Sequence, residues 1–342
     1  MERPMERPLV SVIIPSFNRS HVLRLCVGAI QEQTYSPIEI IVVDDCGTED
    51  AAEVASSMGA TVLRTEVNGG ASPARNLGAE HSHGEILLFL DGDIALDPDS
   101  VENAVNILRS EPKLGALGGI LHPEPLASRS LAAQYRALQM HYWWMPTDRP
   151  TLELHAAVLA IPAEVFKEIG PFNPNLSDTV SADYRYRVMQ KDYEVRITAA
   201  VCGRADHDST LRMILRKVFR RARVSAMEWA RGETPGDSVP RAFGGVLLLA
   251  AVPALALPLL FGPLGALVSP LFVAAAVVLD GSTYRRVFAR RGLLFGLYFS
   301  AVHLLVTLVG ATGAGIGVLQ RVLGRRRPSP QWVPRTGDLE SQ

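Results

Sequence analysis

At 342 residues the chain is long enough for one large domain plus an appendage, and its formal net charge of −1 gives no reason to invoke nucleic acid as a partner. Its three cysteines, Cys26, Cys46 and Cys202, are widely spaced and lack a C-x-x-C pair, which argues against a disulfide framework or a zinc site and fits a reducing compartment. A hydrophobic share of 48% and a mean hydropathy of +0.14 are high for a soluble enzyme, and the apolar residues collect in the final third.

The chain opens on Met-Glu-Arg-Pro twice, without the apolar core of a secretory signal, so residues 1–8 are expected to be disordered and the soluble part to stay in the cytosol. Residues 10–14 are a β-branched run closed by Pro15-Ser16-Phe17-Asn18, and Val22, Leu25 and Ile30 mark an amphipathic helix after it. Residues 39–45 repeat the pattern and end in Asp44 and Asp45. A helix is predicted over 48–58 and a short strand over 61–64. Residues 68–76 form a glycine-rich turn feeding a helix, with Ser72 as its cap and Pro73 at its first position.

Ile86 to Leu90 is a continuous apolar run ending in Asp91-Gly92-Asp93. Such a run needs helices on both faces, which makes it an interior strand of a parallel sheet whose carboxyl end faces the ligand crevice. Two carboxylates around a glycine there offer hard oxygen donors to Mg²⁺ or Mn²⁺ carrying a diphosphate. An ordinary acidic turn has the same three residues, so the motif alone decides nothing.

A helix over 98–109 and a strand over 114–120 come next, then a stretch at 122–150, proline-rich at both ends, holding Tyr135, Tyr142, Trp143 and Trp144. Those aromatics either pack a surface insertion or form an acceptor-side wall or bilayer contact, and both readings stay open. A strand over 156–161, a helix over 163–169 ended by Gly170-Pro171, and a last strand from 193 complete the doubly wound alternation.

Four segments in this order and spacing, Ser11 to Arg19, Ile41 to Asp45, Asn68 to Asn76 and Leu90 to Asp93, resemble the inverting family 2 glycosyltransferases of the GT-A fold. The segment Phe166 to Phe172 resembles that family's acceptor side, and the likeness covers residues 10–207. It implies an α/β, Rossmann-like nucleotide-sugar-binding domain with a mostly parallel sheet. It further implies that Pro15, Ser16, Asn18 and Asp44 hold the nucleotide, as an Asp at a strand end can accept from a uracil-type N–H. Arg75 would add charge to a helix start that favours diphosphate. Asp91 would face the ribose or a metal-bound water, and Asp93 would bind the ion directly. His207 matches the histidine that some GT-A enzymes place near the metal, and a structural role is equally open to it.

Inversion by one in-line displacement onto a hydroxyl needs a general base. Asp183 is the candidate, although ungapped alignment on Arg187 and Tyr193 puts Ser181 at the family's base position. The alternative is an anionic acceptor such as a polyprenyl phosphate, clamped by Arg185 and Arg187, which needs no deprotonation. Trp143 and Trp144 join these as acceptor-side candidates.

Residues 209–231 place apolar side chains at helical spacing amid Arg212, Arg216, Lys217, Arg220, Arg221 and Arg223, as in a helix lying on an anionic leaflet. No Asp, Glu, Lys or Arg occurs over 242–279 or over 292–320, so a hairpin of two spans broken near Gly262-Pro263 and a third span over 293–319, with His303 inside it, are expected. Arg285, Arg286, Arg290 and Arg291 would form a cytosolic loop, whereas Arg321 and Arg325 to Arg327 would then lie outside. The expected domains are 9–208 catalytic, 209–241 interfacial, 242–320 transmembrane and 321–342 a polar tail.

The sequence thus reads as a multi-pass cell-membrane enzyme with a cytoplasmic catalytic domain, moving one sugar from a nucleotide-sugar donor, UDP-linked by preference, to a lipid-linked acceptor. The absence of a Gln-x-x-Arg-Trp element speaks for single addition. A nucleotide-binding membrane scaffold without turnover is the rival. A nucleotidyltransferase is a weaker third reading, since no basic glycine-rich triphosphate loop follows the first strand.

Overall fold

The computed structural model describes residues 7–145, 154–229 and 239–323. The expected disorder of residues 1–6 and the basic tail from 324 lie outside them. Residues 7 and 8 are tied down: Arg7 pairs with Glu102 at 3.0 Å, and the Pro8 carbonyl accepts from the Tyr35 hydroxyl at 2.6 Å. Two compact units divide the chain, one of residues to 129 and 139–207, the other of 130–138 and the chain from 208.

In the first unit, β1 (Val10–Ser16), α1 (Ser20–Gln31), β2 (Ile38–Asp44), α2 (Ala51–Ser57), β3 (Thr61–Arg64), α3 (Ala71–Glu80) and β4 (Ile86–Leu90) alternate as the sequence predicts. Then come β5 (Ile94–Leu96), α4 (Ser100–Ser110), β6 (Leu114–Leu121), α5 (Leu131–Trp144), β7 (Val158–Pro162), α6 (Ala163–Ile169), α7 (Val180–Gln190) and β8 (Glu194–Ala205). They form one sheet in the order β3-β2-β1-β4-β7-β6-β8-β5. The first four strands are parallel, β7 runs antiparallel to β4 and β6, β8 is parallel to β6, and β5 closes the edge antiparallel to β8. The sheet is therefore mixed, parallel where the nucleotide side was expected.

Every residue of β4 is buried. Leu88 and Leu90 enter the core on one face, while Leu87 and Phe89 enter the other, as the two-residue period of a strand requires. Phe89 meets Phe172 edge-on at 5.0 Å and 85°. Covered on both sides, β4 is a rigid stem for the acids at its tip.

The second unit begins with part of α5 and continues through α8 (Leu211–Trp229), α9 (Val239–Ala254), α10 (Pro258–Phe261), a 3₁₀ segment (Gly262–Leu267), α11 (Val268–Leu279) and α12 (Gly281–Leu323). Two stretches, Pro258–Leu279 and Gly281–Leu323, are long and apolar enough to cross a membrane, and Phe243–Ala254 is a shorter apolar helix. The chain breaks near Gly262-Pro263 as expected. The expected loop around Arg285 to Arg291 is instead the first part of α12, kinked from the rest at Gly292 with φ +77°. It is helical because Thr283, Tyr284 and Val287 recur on one buried face while Arg285, Arg286 and Arg290 stay exposed.

The apolar stripe of α8 packs on α12 rather than standing free for lipid. Gly310, Gly313 and Gly317 let the helices approach: a Cβ at Gly313 would fall 2.5 Å from the Phe219 carbonyl, and one at Gly317 would strike that of Arg223. Arg212, Arg216, Lys217, Arg220 and Arg221 face outward on the opposite side. His303 is buried in this unit between the Tyr135 hydroxyl and Asp280, each at 3.2 Å.

Candidate active site

The carboxyl ends of β1, β2 and β4 lie side by side, with Ser16 in register with Asp44 and Ile13 with Phe89. After β1 the chain turns through Asn18 and Arg19, both left-handed at φ 58° and 64°. Asn tolerates that region because its short side chain bonds locally, and here Asn18 Oδ1 accepts from the backbone of Thr48 at 2.8 Å and Glu49 at 3.2 Å. Asp44 is buried, accepts from Gly47 N–H at 2.9 Å and lies 3.4 Å from Arg64. A Cβ at Gly47 would come within 2.7 Å of that carboxylate, so the loop closes only with glycine there.

Asp45 organises the next loop. It accepts from Gly69 and Gly70 N–H at 3.0 and 2.7 Å and from the Thr65 hydroxyl at 2.9 Å. This fixes the glycine turn and the start of α3. The helix begins at Ala71 with Gly70 as its cap, two residues earlier than Ser72 and Pro73 predict, and the Ser72 hydroxyl donates instead to the Leu176 carbonyl at 3.5 Å.

From α3 the buried Arg75 reaches Asp91 at 2.6 Å, its guanidinium 5.9 Å from the Phe172 ring centroid. Arg19 reaches Asp93 at 3.1 Å and lies 3.8 Å from Asp206. The Asp206 N–H donates to the Asp93 carbonyl at 2.8 Å, so the segment carrying the buried His207 runs beside Asp93. Beneath, the Cys26 thiol lies 3.8 Å from the Asp91 carbonyl, and burial, then the nearby Asp93 charge, push its pKa up, leaving a neutral thiol. Gly92 passes the Pro15 carbonyl so closely that a Cβ would be 3.2 Å from it.

Asp91 thus pairs with Arg75, while Asp93 and Asp206 share Arg19. Their donors are hard oxygens, and the Asp91 and Asp93 side chains are 37% and 35% exposed, so the set fits Mg²⁺ or Mn²⁺ and the ion can enter. Pairing with Arg19 and Arg75 keeps the acids aimed while leaving both cations beside the place a diphosphate would occupy.

The acceptor-side candidates fare differently. Asp183 accepts from Arg187 Nε and Nη2 at 3.0 and 2.9 Å, and Arg187 also donates to the carbonyls of Ile169, Gly170 and Pro171. Arg187 thus ties α7 to the loop after α6. Burial raises the Asp183 pKa, with Arg187 pulling the other way. Ser181 caps the entry to β7, accepting from the Ala156 N–H at 3.1 Å, and the next carbonyl, Ala157, accepts from Asp91 at 2.9 Å. Arg185 is buried, with Nη1 4.0 Å from the Met189 sulfur. Trp144 is a buried core residue stacked on His155 at 4.0 Å, which favours the packing reading for it, and Trp143 packs partly buried against the same core.

Residues 11–145 match the family described as glycosyl transferase family 2. Over those residues the chain is similar to that family. An uncharacterized glycosyltransferase of Haemophilus influenzae is 30% identical over 187 residues, which is 54% of this chain and 63% of that protein. Glycosyltransferase AglE of Haloferax volcanii is 25% identical over 229 residues, 65% of this chain and 74% of the relative. In structure the chain is similar to the mannosyltransferase PcManGT from Pyrobaculum calidifontis, solved with GDP-Man and Mn²⁺, at a TM-score of 0.58 and 17% identity over 94% of this chain and 89% of that one. That likeness shows the fold, which is GT-A.

Arg19 and Asp206 were not among the residues expected at the site, nor was Asp45 as its scaffold. Arg19 ends the first family segment and Asp206 adjoins His207, which was the only signal either gave.

Proposed function

We propose that the protein is an inverting, divalent-metal-dependent glycosyltransferase that moves a single sugar from a nucleotide-sugar to a lipid-linked saccharide or polyprenyl phosphate. It works at the cytosolic face of the cell membrane, where its C-terminal helices anchor it. The observation that carries this reading is the pairing of Asp91 with Arg75 and of Asp93 with Arg19 at the end of β4, one strand away from the buried Asp44 at the end of β2. When bound there, Mg²⁺ or Mn²⁺ supplies Lewis acidity against the charge on the departing diphosphate. Asp44 and the 15–18 loop hold the base, Arg75 and the start of α3 orient the diphosphate, and His207, next to Asp206 whose N–H bonds the Asp93 carbonyl, is the further metal ligand of this reading.

For a hydroxyl acceptor Asp183 takes the proton, and its raised pKa suits that task. For a phosphate acceptor no base is needed, and the engagement of Asp183 with Arg187 favours this second form. The same engagement is what supports the rival, a nucleotide-binding scaffold without turnover. The exposed basic faces of α8 and of the first part of α12 suit an anionic cytosolic leaflet.

The test is release of nucleoside diphosphate by detergent-purified protein with Mn²⁺ or Mg²⁺, UDP-, GDP- and dTDP-sugars and native lipid extract. GDP-mannose belongs in that panel because the structurally similar mannosyltransferase was solved with it. Lipid-dependent release from one donor is expected. Nucleotide binding without release from any donor would overturn the enzyme reading in favour of the scaffold.

A further inference from the structure

The spacing of the cysteines argues against a zinc site, yet folding brings Cys202 to two other ligand types. The end of β8 lies between β6 and β5, with Ile120 in register with Cys202 and Leu96 with Gly203. Leu121 on β6 is likewise in register with Gly203, so the residues that follow Leu96 and Leu121, Asp97 and His122, flank the same point of β8. Asp97 donates its N–H to the Cys202 carbonyl at 2.9 Å, and His122 donates its N–H to the Gly203 carbonyl at 2.8 Å. The Ser100 hydroxyl fixes Cys202 from both sides, donating to its carbonyl at 2.9 Å and accepting from its N–H at 3.1 Å. Above this backbone frame His122 Nε2 is 2.7 Å from an Asp97 carboxylate oxygen, and the ligand atoms of Asp97, His122 and Cys202 all lie within 4.8 Å of one another.

We propose that Asp97, His122 and Cys202 form a transition-metal site distinct from the Asp91 and Asp93 centre, taking Zn²⁺ with a water as fourth ligand. One sulfur, one imidazole nitrogen and one carboxylate oxygen select a borderline ion over Mg²⁺ or Mn²⁺. Tetrahedral zinc holds N and O ligands about 3.3 Å apart and sulfur slightly farther from each, so side-chain rotation on a fixed backbone completes the geometry. The sulfur is buried, while the His122 and Asp97 side chains are 28% and 36% exposed, giving the ion and its water an open side. On binding, the thiol proton leaves to solvent as the Zn–S bond forms. The ion would staple the three-residue β5 to β8 and β6, and β5 starts one residue after Asp93, so the site steadies the strand edge next to the catalytic acids.

Full-length, detergent-purified, metal-stripped protein titrated with Co²⁺ should give a thiolate-to-cobalt absorption band in the near ultraviolet, saturating at one ion per chain and displaced by Zn²⁺. Cys202→Ser should abolish the band, whereas Cys46→Ser and Asp93→Asn should leave it. His122→Ala keeps the thiol and should weaken Co²⁺ binding at least tenfold. No band in the unmodified protein, a band that survives Cys202→Ser, or unchanged affinity in His122→Ala would each overturn the site.

Discussion

Asp93 is a partly exposed acid paired with a partly exposed arginine, and such pairs contribute about 0–1 kcal/mol to folding. Its position at the tip of a buried strand is therefore better explained by ligand chemistry than by stability. Asp93→Asn should leave the melting temperature nearly unchanged and lower sugar transfer by at least a hundredfold; full activity in that variant would sink the metal assignment. Asp183 is tested by pH. Its folded pKa is raised, so as a base it is protonated, and idle, up to a higher pH than an ordinary aspartate. Transfer to a hydroxyl should rise with pH through that raised value and level off above it, and Asp183→Asn should lose both the rise and most of the rate. An anionic acceptor predicts the reverse, no such limb and a variant that still transfers. Asp91, Asp93 and Arg75 were legible in the sequence because each sits at the end or start of a regular element. The Arg19 contact to Asp93 spans 74 positions and depends on a left-handed turn, which no local pattern announces.

At the scale of elements, the parallel half of the sheet could be read because each strand is a β-branched run that stops at polar residues. β5 could not, since three residues carry no period, and the start of α12 reads as a loop because its arginines outweigh the buried Thr283, Tyr284 and Val287. The helical spacing of α8 was plain, but not what its apolar side would meet: the glycines that receive it lie roughly ninety residues later, inside an apolar stretch where they look like ordinary membrane composition. That contact makes a sharp prediction. A side chain at Gly313 must displace the α8 backbone, and overpacking of this kind costs about 1–3 kcal/mol. Gly313→Leu should therefore expose the arginine-rich α8 to trypsin in the detergent-purified protein, while Gly315→Leu, where a Cβ meets nothing, should not. Equal cleavage of the two variants would show that the packing is not what holds α8.

For the whole molecule, the decisive quantity is the apolar surface that the second unit leaves uncovered. Leu255, Leu259, Leu260, Phe261 and Leu264 are 69%, 87%, 76%, 66% and 76% exposed, and Leu293 and Leu294 continue the same character at 67% and 84%. Removing one such side chain from water is worth about 1.5–3 kcal/mol, so these seven alone favour an apolar surrounding by roughly 10–20 kcal/mol. Soluble monomers rarely leave that much contiguous apolar area open, and the basic faces of α8 and α12 can add no more than about 1 kcal/mol per residue at an anionic surface. The two contributions separate under extraction. Salt and alkaline carbonate remove proteins held by charge, so a chain held only by its arginines should enter the supernatant. If the Pro258–Leu279 and Gly281–Leu323 stretches are immersed, the protein should stay in the membrane pellet through both washes and leave only with detergent. Charge reversal at Arg216 and Arg220 should not change that result, because it removes the weaker of the two attractions. It should lower transfer to lipid acceptors in vesicles rich in anionic lipid, where the basic face of α8 has a surface to meet. Release of the unmodified protein by carbonate would overturn the anchoring, and with it the main physical argument for a lipid-linked acceptor.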